Sequence, residues 1–184
     1  MGCTDNPQVN TIEKTKLTEP LSKSPTYSVG DKPNNSDLFN LRNRALMKHN
    51  ELRKKHNSPE LILNDKLNEM AQQYAKQLLE NENGKNFVVK TFENGICGEN
   101  ILLSKNKTPE EMCDKWYKEA NSFDFSSFKY QKDSGHFTQM IWKETKQVGF
   151  GFEYEGDGNF CGVALYYPAG NIFGKFEKNV QPAK

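Results

Sequence analysis

Between Trp142 and Val148 the spacing of apolar side chains changes from three-and-four to two, and that switch restricts the chain to folds that stack helices against a hairpin. Upstream, Leu38, Leu41, Ala45, His49 and Leu52 recur at helical intervals and predict a first helix, capped by Ser36 or Asp37. Asn64 caps a second, whose stripe is Leu67, Met70, Ala71, Tyr74, Ala75, Leu78 and Leu79. Thr108-Pro109-Glu110-Glu111 opens a third, with a capping box and proline at the first helical position. Met112, Trp116, Tyr117 and Ala120 form its apolar side. A short fourth helix holds His136 to Trp142. Downstream, Val148, Phe150, Phe152 and Tyr154 alternate with Gly149, Gly151 and Glu153, as in a strand. Glu155-Gly156-Asp157-Gly158-Asn159 is turn chemistry. Phe160 to Tyr167 is the return strand, ended by Pro168-Ala169-Gly170-Asn171. Phe87-Val88-Val89 predicts one further short strand. Helices followed by an antiparallel hairpin specify an α+β layered domain.

That domain is expected over 37–184. Residues 1–36 carry Pro7, Pro20, Pro25 and Pro33 among Asn, Ser and Thr, with Tyr27 the sole aromatic. Such a segment buries too little apolar area to offset its ordering entropy and is expected to be a disordered extension. Across the chain 25 basic residues face 24 acidic ones, a net charge of +1, which leaves no electrostatic footprint for nucleic acid. No apolar run approaches the roughly 20 residues that cross a bilayer, and the opening segment lacks the apolar stretch of a secretory leader. Cys3, Cys97, Cys113 and Cys161 contain no C-x-x-C pair, which argues against a zinc knuckle or a thioredoxin motif. As written, the chain reads as intracellular with reduced thiols. A leader removed before the numbering would make it secreted, and a bridge of Cys97 to Cys161 or to Cys113 would mark that case.

Two segments suggest contact with membranes. Arg42, Arg44, Lys48, Arg53, Lys54 and Lys55 lie close together against Glu51 alone. Such a patch attracts anionic headgroups by about 1 kcal/mol per basic residue; the plainer reading is a solvated helix face. At the start, Gly2 is a candidate for myristoylation and Cys3 for palmitoylation, a two-chain anchor. Asn6 stands where that motif has Ser or Thr. The alternatives are an ordinary initiator followed by a free Cys, or a trimmed lipoprotein modified at Cys3.

Four segments, in order, resemble the signature motifs of the CAP family of cysteine-rich secretory, antigen 5 and pathogenesis-related 1 proteins. His49-Asn50-Glu51-Leu52-Arg53 resembles its HNxxR motif, and Gly98-Glu99-Asn100-Ile101 its GEN motif. Gly135 to Trp142 resembles GHFTQxxW, and Leu165 to Asn171 the closing YxPxGN. Trp116-Tyr117-Lys118-Glu119 and Phe176 to Pro182 are similar to the Golgi-associated branch of that family. The resemblance implies a three-layer α–β–α sandwich with a central antiparallel sheet. It makes His49, Asn50, Arg53, Asn100, Trp142, Gly170 and Asn171 structural. It also implies partners: acidic phospholipid or a sterol-like ligand at the cytosolic face of a membrane, and a second copy as a homodimer. Of the hairpin aromatics Phe150, Phe152, Tyr154, Tyr166 and Tyr167, most are expected in the core, and some would line a lipid pocket.

In that family a cleft of two His and two Glu holds a divalent metal. Glu99, Glu119 and His136 match three positions, but no His lies between 57 and 135, so the fourth is missing. Zinc favours nitrogen and sulfur donors, and losing an imidazole predicts a weak, oxygen-rich zinc site. The same three residues invite a hydrolase reading, with water activated by an imidazole and two carboxylates. No Ser or Cys nucleophile with partner spacing accompanies them. The expectation is a non-enzymatic module for lipid at a membrane surface. A metal-dependent hydrolase and a secreted, venom-allergen-like effector are the alternatives.

Overall fold

The computed structural model describes residues 33–80 and 91–184. Gly2, Cys3, all but the last residues of the expected extension and the Phe87 to Val89 strand lie outside the described residues. Helix α1 spans Asn35–Lys55. Its cap is Asn34, not Ser36 or Asp37: Asp37 N–H donates to Asn34 Oδ1 and Asn34 N–H to Asp37 Oδ2, each at 3.0 Å. The box is reciprocal, so the helix begins ahead of the boundary expected at residue 37. Helix α2, Asp65–Glu80, starts at Asn64, whose Oδ1 accepts from Leu67 N–H at 3.0 Å. Helix α3, Pro109–Tyr117, has the Thr108 box and Pro109 in its first turn. Ala120 falls beyond it, in a 3-10 turn over Lys118–Ser122. Helix α4 is Gly135–Ile141. A last short helix, α5, is Phe176–Asn179.

The expected hairpin is present as β5, Gln147–Glu155, and β6, Asn159–Tyr167. Two more strands complete the sheet in the order β1-β5-β6-β4. Strand β4, Gly98–Lys105, runs antiparallel to β6. The two-residue β1, Ile62–Leu63, is parallel to β5, so the sheet is antiparallel except at that edge. Strands β2, Thr91–Phe92, and β3, Gly95–Ile96, form a separate ribbon.

Both faces of the sheet are covered. Phe150, Phe152, Phe160 and Tyr166 join Leu41, Leu52, Trp116 and Phe137 in one core under α1, α3 and α4. Cys161, Val163 and Leu165 join Leu67, Ala71 and Tyr74 in a second core under α2. The glycines of β5 make that second core possible. A Cβ on Gly149 would lie 2.1 Å from the Leu67 carbonyl carbon, and one on Gly151 2.2 Å from that of Ala71. Helix α2 therefore rests directly on the strand backbone.

Past β1, the free edge of β5 is finished by helix side chains. Asn68 Oδ1 accepts from Phe150 N–H at 2.9 Å, and Gln72 Oε1 from Phe152 N–H at 3.0 Å. Gln72 Nε2 donates to the Phe152 carbonyl at 2.7 Å, and Arg42 Nε to the Phe150 carbonyl at 2.9 Å. These side chains stand in for a neighbouring strand and close an edge that would otherwise invite pairing.

Cys97, Cys113 and Cys161 are free and buried. Gly98 pairs with Tyr166 and Leu103 with Cys161, which separates Cys97 from Cys161 by about 20 Å of strand. Cys113 belongs to the core on the other side of the sheet. The bridges expected of a secreted form need Cα separations below about 7 Å, and this register excludes Cys97–Cys161.

Candidate functional site: a knot of signature motifs beside a Glu–His pair

The four motif segments meet in one hydrogen-bonded knot. His49, fully buried on α1, has Nδ1 2.9 Å from the Ala45 carbonyl and Nε2 2.8 Å from the Tyr166 hydroxyl. The carbonyl only accepts, so Nδ1 carries the proton and the tyrosine donates to Nε2. Asn100 Nδ2 reaches both the Tyr166 hydroxyl, at 3.2 Å, and the His136 carbonyl, at 3.0 Å. One chain of bonds thus joins all four motifs.

Arg53, one turn on, donates to four carbonyls: Pro59 at 2.8 Å, Met140 at 2.7 Å, Trp142 at 3.0 Å and Thr145 at 3.1 Å. Burial pushes its guanidinium down to about 10. Asn50 exchanges two bonds with the Leu61 backbone, at 3.0 and 2.8 Å. Trp142 is buried with its ring edge-on to Phe176. Asn171 donates to the Gly135 carbonyl at 2.9 Å and accepts from Thr138 Oγ1 at 2.6 Å. Gln139 Oε1 accepts from Gly170 N–H at 2.8 Å, and a Cβ on Gly98 would sit 2.0 Å from that oxygen. The hydrogen bonds of Gln139 and Tyr166 leave no local signal in the sequence, because their partners lie 31 and 117 residues away.

Burial drives the His49 imidazole down from 6.5 to about 3. The unfolded chain gains this proton below about 6.5, whereas the fold refuses it until about 3. The stability is therefore complete above pH 6.5 and drains below it at up to 1.4 kcal/mol per pH unit. Urea unfolding at pH 7 and pH 5 should differ by about 2 kcal/mol through this group. A His49→Gln variant should lose that part of the dependence; an unchanged profile would show that the folded imidazole takes up the proton.

Beside the knot, Glu119 and His136 come together. His136 Nδ1 lies 2.6 Å from Glu119 Oε1, and Glu119 Oε2 accepts from the His136 and Phe137 N–H groups at 3.0 and 3.1 Å. The His136 ring stacks on Trp116 with centroids 6.0 Å apart. Nδ1 faces the carboxylate, on a side chain 42% exposed. The third candidate, Glu99, does not join them. It pairs across the ladder with Leu165, whose side chain lies in the α2 core. There burial first, and then the Glu99 charge, push up the Tyr74 hydroxyl and the Cys97 thiol, the latter to about 11. Alternation sends its neighbour Asn100 to α4 and Glu99 to the opposite face. Among the described residues no three His, Cys, Asp or Glu side chains converge to hold a metal ion.

The basic run of α1 is largely turned onto the protein itself. Arg42 holds the β5 edge. Arg44 clamps Glu110 through two bonds of 2.6 and 2.7 Å. Lys48 pairs with Asp114 at 3.0 Å and Lys55 with Glu51 at 3.3 Å; Arg53 is buried, and Lys54 is exposed. Of the hairpin aromatics, Phe150, Phe152 and Tyr166 are core residues, and Tyr154 and Tyr167 are partly buried against it. Among the described residues no helix is long and apolar enough to cross a membrane.

Comparison with known proteins agrees with this geometry. The model of the cysteine-rich secretory protein family, CAP, matches residues 46–167. The chain is 41% identical to human Golgi-associated plant pathogenesis-related protein 1, over 77% of this chain and 93% of the relative. It is 39% identical to protein PRY2 of Saccharomyces cerevisiae over 48% of this chain, which spans 26% of that longer protein. Among solved structures, Schistosoma mansoni venom allergen-like protein 4 superposes with a TM-score of 0.57 at 22% identity, over 78% of this chain and 95% of that one. Motif knot, three-layer fold and sequence likeness agree: the chain belongs to the CAP family of cysteine-rich secretory proteins.

Proposed function

We propose that this chain is a non-enzymatic CAP module working at a membrane surface, where it takes acidic phospholipid or an apolar, sterol-like ligand. The observation that carries the non-enzymatic part is the way Glu119 is used. Both its oxygens accept bonds from α4 and from the His136 ring, which suits a positioning residue better than a base with a reactive lone pair. The membrane part is supported by likeness to a Golgi-associated relative along 93% of its length. A Golgi-related, cytosolic-face location, a homodimer and lipid on Gly2 and Cys3 belong to the same reading. Three buried free thiols favour it over a secreted effector. The full chain should float with phosphatidylcholine–phosphatidylserine vesicles and release as salt screens the headgroups. No flotation at low salt would refute the reading.

One observation favours a second reading, the metal-dependent hydrolase. Glu119 orients His136 as a carboxylate orients a metal-ligating imidazole. Zinc titration calorimetry separates the two. The expected result is no micromolar heat; micromolar binding abolished by His136→Ala would favour the hydrolase.

A further inference from the structure

We propose that loops 123–131 and 170–175 together form an aromatic ledge that seats in the interfacial layer of a phospholipid bilayer. The inference rests on the membrane-surface reading and adds which face of the domain meets the lipid. Phe173 is 88% exposed and Ile172 41%; on the adjoining loop Phe128 is 45% and Tyr130 53% exposed. A left-handed Asn171 at φ 57° and Gly174 at φ 77° bracket the Ile172-Phe173 tip, and Phe128 itself sits at φ 46°. An aromatic residue held at positive φ is strained, and this one gains no core packing in return.

The two loops make one surface. The Tyr130 ring lies 6.4 Å from Phe176, and a Cβ on Gly135 would lie 3.4 Å from the Tyr130 hydroxyl. The Gly135 carbonyl accepts from Asn171, the residue before Ile172. The first loop is also pre-shaped: Gln131 bonds both the N–H and the carbonyl of Asp124, each at 2.9 Å. The ledge is thus ordered before it meets a partner, which lowers the entropy cost of binding.

The chemistry selects the occupant. The apolar side chains stand exposed on two loops, which suits a fluid interface that closes around them. Aromatic residues interleaved with Lys129 and Lys132 have the composition of interfacial anchors. Around the ledge Lys129, Lys132, Lys175 and Lys178 are offset by Asp124, Asp133, Glu144 and Glu177. Such a near-neutral rim tolerates either headgroup layer, and aromatic insertion adds to the headgroup attraction.

The test is flotation of the full chain with phosphatidylcholine vesicles, with and without phosphatidylserine. Phe173→Ser and Phe128→Ser should each weaken binding to both by about tenfold. A matching Phe39→Ser, on the exposed outer face of α1, should leave binding unchanged. Circular dichroism should show that all three variants fold. Phe173→Trp adds an independent reading, because Trp116 and Trp142 are 2% and 0% exposed. Brominated phosphatidylcholine should quench the introduced indole and spare the native pair. Wild-type binding that survives both serine variants overturns the ledge and leaves the membrane reading standing. A chain that binds neither vesicle overturns both. Loss of self-association in Phe173→Ser, with vesicle binding intact, would assign the ledge to a second copy and also overturn the proposal.

Discussion

Gly151→Val should cost about 3 kcal/mol or more. Even the first carbon of the new side chain would lie 2.2 Å from both the carbonyl carbon and the oxygen of Ala71. These are helix backbone atoms, and no rotamer can move them aside. Relief requires α2 to lift from β5, which would open the core around Ala71 and Val163 and stretch the Asn68 and Gln72 bonds to the strand edge. Gly156→Ala is the control, since nothing lies within 4 Å of a Cβ there. It should stay within about 0.5 kcal/mol of wild type. Guanidinium unfolding of the pair is decisive: a Gly151→Val protein as stable as Gly156→Ala would mean that α2 does not rest on the strand.

Arg53→Met should cost about 4 kcal/mol, because a guanidinium bonded to four carbonyls is replaced by a thioether that can donate to none. The Met140, Trp142 and Thr145 carbonyls that lose their donor lie in the segment leading from α4 into β5. Arg53→Lys should recover only a minor part, since an ammonium on a single stem cannot span the fork geometry. The comparison is thermal unfolding of wild type, Arg53→Met and Arg53→Lys. Equal midpoints for wild type and Arg53→Lys would show that charge, not the planar fork, is what the site needs.

These two residues also show how unevenly the structure could be read from the sequence. Arg53 was expected to be structural from its motif, but three of its four partners come from one distant segment that no helical period points to. Strand β4 escaped notice because Gly98 to Lys105 alternates poorly; its place comes from pairing with β6. Arg42 and Arg44 counted as surface charge in the chain. In the fold one is a substitute for a strand neighbour and the other clamps Glu110, because α1 turns that face toward β5 and α3. Glu99, Glu119 and His136 resembled one constellation. Strand alternation sends Glu99 to the opposite face of the sheet from the other two.

What the sequence determined by itself is local and periodic: four helices, the caps of the second and third, the closing hairpin, and the motif order that identifies the family. Each depends on neighbours within a turn or a pleat, so a single segment carries the signal. What only the tertiary structure decided is which surfaces meet. The change of period at Val148 announces a strand with an apolar side and a glycine side, and a glycine side reads equally well as facing water. It is buried because Gly149 and Gly151 leave room for a helix backbone at contact distance. The absence of a side chain acquires meaning only once the partner that fills its place is known.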